Sequence, residues 1–487
     1  MVAPRQATDS TPKAGASGVD AARVTSDPGA RRARQVSQSS GVETTETVRY
    51  RYRAYPDRRQ VRVLSRLFGC VRVVYNDALA YARQAHASGA GFPHDIQAHV
   101  LTRGKQTPER AFLKDAYGVC LIQSVNDAQT AYRNYFNSLS GRRKGRRMGL
   151  PRMKSRRDRY DSARFTRAAR FTVTETADRD GNGIVRLPGR IGDLRFIQSR
   201  PLPSEPSSVT VIGEPDGRFY VSFVVTRPTR TPNTRSRDEF ARPVGVDVGL
   251  SAFAHTLTHD TTTGAETVAK IDTPAYLRRR ERALARSQRN LSRKQKGSRN
   301  RDKARIKVAR LHRRVREARL DHAHQQAAAI ITNHDFVAVE DLNIAGMTRT
   351  RSTAKSVHDQ ALGQFLTILA HKARNRGVTL TKVGRYYPST RTCSHCGDLT
   401  GPRGRRELHI REWDCTTCGT HHHRDINAAR NILREGLRVH TANNTVADGQ
   451  SETENALPRE CETQTPTGVQ TQPPTTRVGP QETSHDP

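Results

Sequence analysis

Long hydrophobic runs are missing from this chain. None approaches the ~18 consecutive apolar residues that a bilayer-spanning helix needs, so a membrane span is not expected. No apolar stretch follows the N-terminal methionine, and secretion is not expected either. Cysteine is scarce: of seven, four form two CxxC pairs, leaving Cys70, Cys120 and Cys461. That usage excludes a disulfide framework and points to a metal site in a reducing compartment, the cytoplasm with its nucleoid. Acidic residues are few, 47 Asp+Glu against 83 Lys+Arg, for a formal charge of +36. Solubility needs far less, and clustered Lys/Arg neutralise phosphates, so a polyanion partner is expected.

The 487 residues are enough for two or three domains. Residues 1–44, rich in Ser, Thr, Ala, Gly and Arg, lack apolar periodicity and read as a disordered tail. Residues 441–487 carry two basic against seven acidic side chains and read as a disordered acidic tail. Between them lie two folded regions, 45–240 and 241–440.

The first opens with the alternating strand Val48–Tyr55, then a helix in which Asp57 and Gln60 are spaced as a capping box. Val61, Leu64, Phe68, Val71, Tyr75 and Leu79 give that helix one apolar face. Helical sequence continues to about residue 140, and alternating segments near 168–175, 183–198, 207–213 and 218–226 predict a small β-barrel. The second region has strand-like runs at 244–250, 266–271, 336–340 and 378–383. Helices are expected at 275–320 with a break near Gly297, at 358–376, and from Arg424 to about Glu435. Strands joined to helices in this order predict a mixed α/β sheet.

Cys393 and Cys396 precede Cys415 and Cys418 by eighteen residues, a spacing that lets four thiolates close around one structural Zn²⁺. With that tetrahedron filled, His395 and His421–His423 are expected to be solvated or phosphate-facing. Asp247 sits mid-strand with apolar or Gly neighbours on both sides, Glu340 ends an apolar strand, and Asp425 opens the last helix. A carboxylate in a buried strand is costly unless paired or bound to a cation. Three converging at one end of a sheet suit hard divalent cations, and two such ions can promote phosphodiester hydrolysis.

Several blocks carry a resemblance. Val244–Leu250, Val339–Met347, Tyr387–Gly397, Arg411–Gly419 and His422–Ile432 resemble the signature blocks of the TnpB/OrfB family, as do Tyr52–Pro56, Phe68–Cys70, Pro201–Ser204 and Ser208–Val211 nearer the N-terminus. The match runs from Val48 to Leu437. The family consists of insertion-sequence proteins, historically called transposases and regarded as RNA-guided DNA endonucleases. The resemblance implies a multidomain α+β and α/β chain: a RuvC-type, RNase H-like nuclease domain at 241–440, preceded at 45–240 by a small β-barrel with a helical insertion. A zinc ribbon would be inserted at 388–420. It further implies that Asp247, Glu340 and Asp425 are catalytic and hold two Mg²⁺, while Cys393, Cys396, Cys415 and Cys418 hold zinc. Implied partners are a guide RNA encoded near the insertion-sequence end and double-stranded target DNA, with homodimerisation left open. Where the family often carries Asp, this chain has His423.

Residues 275–320 hold nineteen Lys/Arg and three acids. A solvated helix would balance its signs at i,i+4, so backbone contact with nucleic acid is expected there. The candidates are Arg278, Arg279, Arg286, Arg293, Lys294, Arg299, Arg305, Arg310 and Arg313. Residues 141–164, with eleven Lys/Arg against two Asp, add Arg142, Arg143, Lys144, Arg146 and Arg147. The rival reading is a non-catalytic nucleic-acid-binding regulator, which has no use for three strand-end acids. A DNA strand-transferase would share the metal chemistry but need an end-joining assembly.

Overall fold

Residues 45–451 are described by the computed structural model, apart from 91, 144, 146, 157–159, 176–180, 230–235, 404–406 and 408. Residues 1–44 and 452–487, and Lys144 and Arg146 of the basic run, lie outside the described residues. Alternating Arg and Tyr build β1 (Thr45–Ala54), which buries Tyr52 and Ala54. In the first turn of α1 (Arg58–Ala87), Gln60 N donates to Asp57 Oδ1 at 2.7 Å and Asp57 N donates to Gln60 Oε1 at 3.0 Å. This is the capping box its spacing predicts. Gln60 Nε2 also donates to the carbonyls of Ile191 and Asp193, fastening the helix start to the sheet.

The apolar face of α1 packs on α2 (Gly118–Leu139). The intervening chain is less regular than expected, a π turn at Ala98–Arg103 followed by 3-10 turns. Six more strands follow: β2 (Asp161–Thr166), β3 (Thr172–Thr174), β4 (Asn182–Leu187), β5 (Gly192–Ile197), β6 (Ser208–Gly213) and β7 (Phe219–Pro228). With β1 they form an antiparallel sheet in the order β2-β6-β7-β1-β5-β4-β3. Among the described residues no pairing joins β2 to β3, so the expected barrel is a half-barrel. Its core is an aromatic cluster of Tyr52, Phe196 and Phe223, with ring centroids 5.3, 5.4 and 5.9 Å apart.

The second region begins with an antiparallel meander, β8 (Pro243–Asp247), β9 (Ala254–His259) and β10 (Glu266–Ile271). A helical hairpin of α3 (Tyr276–Ser292) and α4 (Arg299–Asn333) leads to β11 (Phe336–Glu340), parallel to β8. Then α5 (Ile344–Arg349), α6 (Arg351–Gln360) and α7 (Leu362–Arg376) lead to β12 (Thr379–Val383), parallel to β11. The sheet order β10-β9-β8-β11-β12 is 3-2-1-4-5 with only the second strand reversed, an RNase H-like topology. A two-stranded ribbon, β13 (Glu412–Asp414) and β14 (His421–His423), separates β12 from α8 (Arg424–Ser451). Helices α4 and α7 bury one face of the sheet and α8 the other.

Several boundaries differ from the sequence reading. The strand read at 244–250 ends at Asp247, and the helical pair read to residue 320 runs to Asn333. Two further helices change for packing reasons. The helix expected at 358–376 is two, because Ala361 takes a left-handed conformation (φ 54°). That corner frees the buried Asp359 to accept the Leu277 and Arg278 N–H groups at 2.8 and 3.2 Å. A residue of α6 thereby caps α3, which has no side-chain cap of its own. The last helix, expected to end near Glu435, continues to Ser451. His440 explains the extra turns: it is buried against Phe240 and Phe336, at ring distances of 5.3 and 5.6 Å.

Candidate active site and zinc ribbon

Strands β8 and β11 are buried up to their last residues, Asp247 and Glu340, which suits the apolar sequence that precedes each acid. Val339 pairs with Val246 in parallel register, so the next residues, Glu340 and Asp247, end neighbouring strands about 4.8 Å apart at the backbone. The helix bearing Asp425 crosses this pair closely. A Cβ on Gly245 would fall 2.1 Å from the Ala429 carbonyl oxygen, and one on Gly436 would fall 2.4 Å from Ala338 Cβ. Both contacts need glycine. They run α8 down the sheet from the carboxyl ends of β8 and β11, leaving Asp425 at its head above Asp247 and Glu340. Helix N-terminal amides favour a carboxylate there.

Electrostatics binds the three together. Burial, then the negative charges of Glu340 and Asp425, push the Asp247 carboxyl well above the usual range. Burial likewise raises Glu340, against a hydrogen bond from Ser389 Oγ that lowers it. Asp425 is held differently: Arg424 reaches its Oδ1 at 2.7 and 2.9 Å, and Arg411 of the ribbon reaches its Oδ2 at 3.1 Å. His255, paired with Asp247 across β8 and β9, places Nδ1 3.7 Å from Asp425 Oδ2. His423 lies 5.7 Å from the His255 ring, and its buried Nδ1 has no hydrogen-bond partner. Two adjacent carboxylates with raised affinity for protons are short of positive charge, and this donor set fits a hard divalent cation. The acids are not drawn to single-ion spacing, because guanidinium groups already engage Asp425.

The cysteines are gathered more tightly. All four Sγ atoms lie within 4.8 Å of one another, with Cys393–Cys418 at 3.7 Å and Cys396–Cys415 at 3.6 Å. A zinc tetrahedron with Zn–S of about 2.3 Å has edges of roughly 3.8 Å, so the thiols fit the ion. The Thr400 hydroxyl donates to Cys415 Sγ at 3.1 Å and lowers that thiol to about 6, favouring the thiolate ligand. His422 corrects the expectation of solvated histidines. It is buried against Trp413, and its Nε2 lies 3.0 Å from Cys393 Sγ, where an N–H could donate to the sulfur of a metal-binding thiolate. Strand alternation in β14 explains it, since His421 and His423 point the other way.

The basic candidates divide into two groups. Arg286 and Lys294 line a cleft of about 470 Å³ between α3 and α4 together with Lys303 and Lys307, which the sequence reading did not single out. Arg279, Arg293, Arg299 and Arg310 are exposed on the same hairpin, and Arg142, Arg143 and Arg147 are exposed after α2. Arg278, also exposed, donates to Ser356 Oγ. Arg305 and Arg313 instead turn inward onto the β6–β7 turn. Arg305 donates to the Pro215 carbonyl at 2.9 Å, and Arg313 Nε lies 2.6 Å from the buried Asp216 carboxylate. Arg316 adds a contact to buried Glu214 at 2.8 Å.

Sequence reasoning missed Ser389, Arg411, Arg424 and His255 as neighbours of the acids. The first three lie in or beside blocks already quoted, where their neighbours drew the attention. His255 carries no motif at all, and only the β8–β9 pairing reveals it.

Fold and sites together define an RNase H-like domain with a four-cysteine ribbon inserted between its last strand and last helix. A family profile described as a probable transposase (OrfB of the IS605 type) matches residues 223–351, a Cas12f1-like TNB domain matches 363–432, and a helix-turn-helix domain matches 47–90, here β1 and α1. A relative from Streptomyces pristinaespiralis, named "Putative RNA-guided DNA endonuclease", is 36% identical over 80% of this chain and 89% of its own length. An Escherichia coli K12 relative with the same description, InsQ, is 29% identical over 82% of this chain and 95% of its own. The chain belongs to the TnpB/OrfB family. Among solved structures, the Cas12f1–sgRNA–target DNA complex aligns with 13% identity and a TM-score of 0.45 over 80% of this chain and 99% of that one, a likeness too weak to bear on the site.

Proposed function

We propose that this chain is an RNA-guided, metal-dependent DNA endonuclease of an insertion sequence, with Asp247, Glu340 and Asp425 as its catalytic carboxylates. The observation that carries this is the in-register placement of Asp247 and Glu340 at adjacent strand ends beneath Asp425. Two Mg²⁺ at these acids would supply water activation and charge stabilisation at the leaving oxygen. The protein's own part is to hold the cation ligands in place. Ser389 orients Glu340, and Gly245 lets α8 bring Asp425 down. Burial and the neighbouring acids raise the Asp247 carboxyl, and a bound cation would offset that repulsion.

One structural Zn²⁺ in the four-cysteine site would fix the ribbon. The cationic α3–α4 hairpin and the exposed arginines after α2 would grip nucleic-acid backbones, with a guide RNA encoded near the element's end choosing the double-stranded target by base pairing. The test is to sequence RNA that copurifies with the protein, then incubate that complex with matched plasmid and Mg²⁺. Guide-dependent cutting that disappears in Asp425→Ala supports the reading, and matched complexes that never cut overturn it. One observation favours a second reading, a non-catalytic regulator: Asp425 is already neutralised by Arg411 and Arg424. Specific RNA bound without cutting would favour that regulator.

A further inference from the structure

Tyr386 is 92% exposed, while among the described residues no other large apolar side chain exceeds 56%. Bare surface aromatics usually lie on loose chain, where ordering them is costly. Tyr386 lies on a fastened loop between β12 and the ribbon. On one side, Arg385 Nη2 donates to Asp341 Oδ2 at 2.6 Å, and Tyr387 N donates to the Gly384 carbonyl at 3.0 Å. On the other, Ser389 Oγ donates to Glu340, and the Ser389 carbonyl accepts from Asn431 Nδ2 at 2.9 Å. Both flanks of the ring are thus tied to the segment that carries Glu340. Three residues of chain span at most about 10 Å, so the Tyr386 backbone lies within that distance of Ser389, whose hydroxyl donates to Glu340.

A rigid, uncovered ring beside a phosphodiester site offers a stacking face. Bases inside a duplex have both faces covered by neighbours, so only an unpaired base can use it. Arg385, committed to Asp341, does not cover the ring. We infer that Tyr386 is a stacking platform for an unpaired nucleobase within a nucleotide or two of the bond to be cut. The inference rests on the nuclease reading above and adds a substrate-positioning residue at the same site.

The test uses the full chain with its copurified RNA and target DNA carrying 2-aminopurine at successive positions around the cut. Single-turnover cutting and probe fluorescence are followed for wild type, Tyr386→Ala, Tyr386→Phe and Tyr386→Trp. One probe position is quenched in wild type, Phe and Trp and bright in Ala. Cutting slows on the order of tenfold in Ala and is restored by Phe and Trp. An abasic nucleotide at the quenched position slows wild type equally and slows Ala no further. Wild type that cuts with no Tyr386-dependent quench, and Ala that cuts at the wild-type rate, overturn the platform alone. Quenching without cutting in wild type overturns the nuclease reading and keeps the platform. Neither quench nor cutting overturns both.

Discussion

The two candidate ligand sets of this protein are built in opposite ways. The four cysteines come from 26 residues of chain, Cys393 to Cys418, and their sulfurs already stand near the edges of a tetrahedron. The three acids come from two strands and a helix spread between Asp247 and Asp425, and guanidinium groups hold one of them aside. A locally encoded site can close on its own. A dispersed one is only as good as the sheet, the helix approach and the counter-charges around it.

The comparison breaks most visibly through chemistry. Asp247→Ala, Glu340→Ala or Asp425→Ala should each lower guide-dependent cutting on the order of 10³-fold or more, the scale for removing one member of a catalytic set. A plasmid assay with folded protein checks this, and copurified RNA should be unchanged. Cys415→Ser should instead act through structure. Bound zinc should fall from one per chain, residues 388–420 should become sensitive to protease, and cutting should fall because Arg411 and Ser389 flank both acids.

Next in size is the inward arginine. Arg313→Ala leaves the buried Asp216 without its closest counter-charge, so unfolding should be easier by about 3 kcal/mol, measured by denaturant titration. Lys303→Ala, on the same helix but in the open cleft, should leave stability unchanged. It should instead reduce the salt slope of nucleic-acid binding by about one.

The smallest effect concerns pH. Asp247 has a raised carboxyl in the fold, so its contribution to stability is present at acid pH and is lost as pH rises through that raised value. In chelator the melting temperature should therefore fall as pH rises above the ordinary carboxylate range, and Mg²⁺ should restore more of it at the higher pH. Asp247→Asn should melt higher in chelator, by about 1 kcal/mol, while abolishing the Mg²⁺ response. An unchanged melting curve would mean that Asp247 is not short of positive charge.

Much of this was legible because the signals were local. The Asp57–Gln60 cap, the α1 stripe, the CxxC spacing and the apolar runs carrying Asp247 and Glu340 are all read within a few residues. What escaped depends on contacts between distant segments. Arg313 looks like its neighbour Arg310 in the sequence. Only the arrival of the β6–β7 turn, with Glu214 and Asp216, separates a strut from an exposed cation. The helix break at Ala361 likewise answers to α3, whose amides Asp359 caps, and His422 is turned inward by Trp413.

Gly245 has a consequence for anyone rebuilding this site. The spacing between the strand acids and the helix acid is kept by a hydrogen atom, because any side chain there would meet the Ala429 carbonyl. A single added methyl would act as a shim under α8, lifting Asp425 while leaving every ligand and every cysteine in the chain unchanged. Gly245→Ala is thus a mutant with all its chemistry present and its gauge wrong.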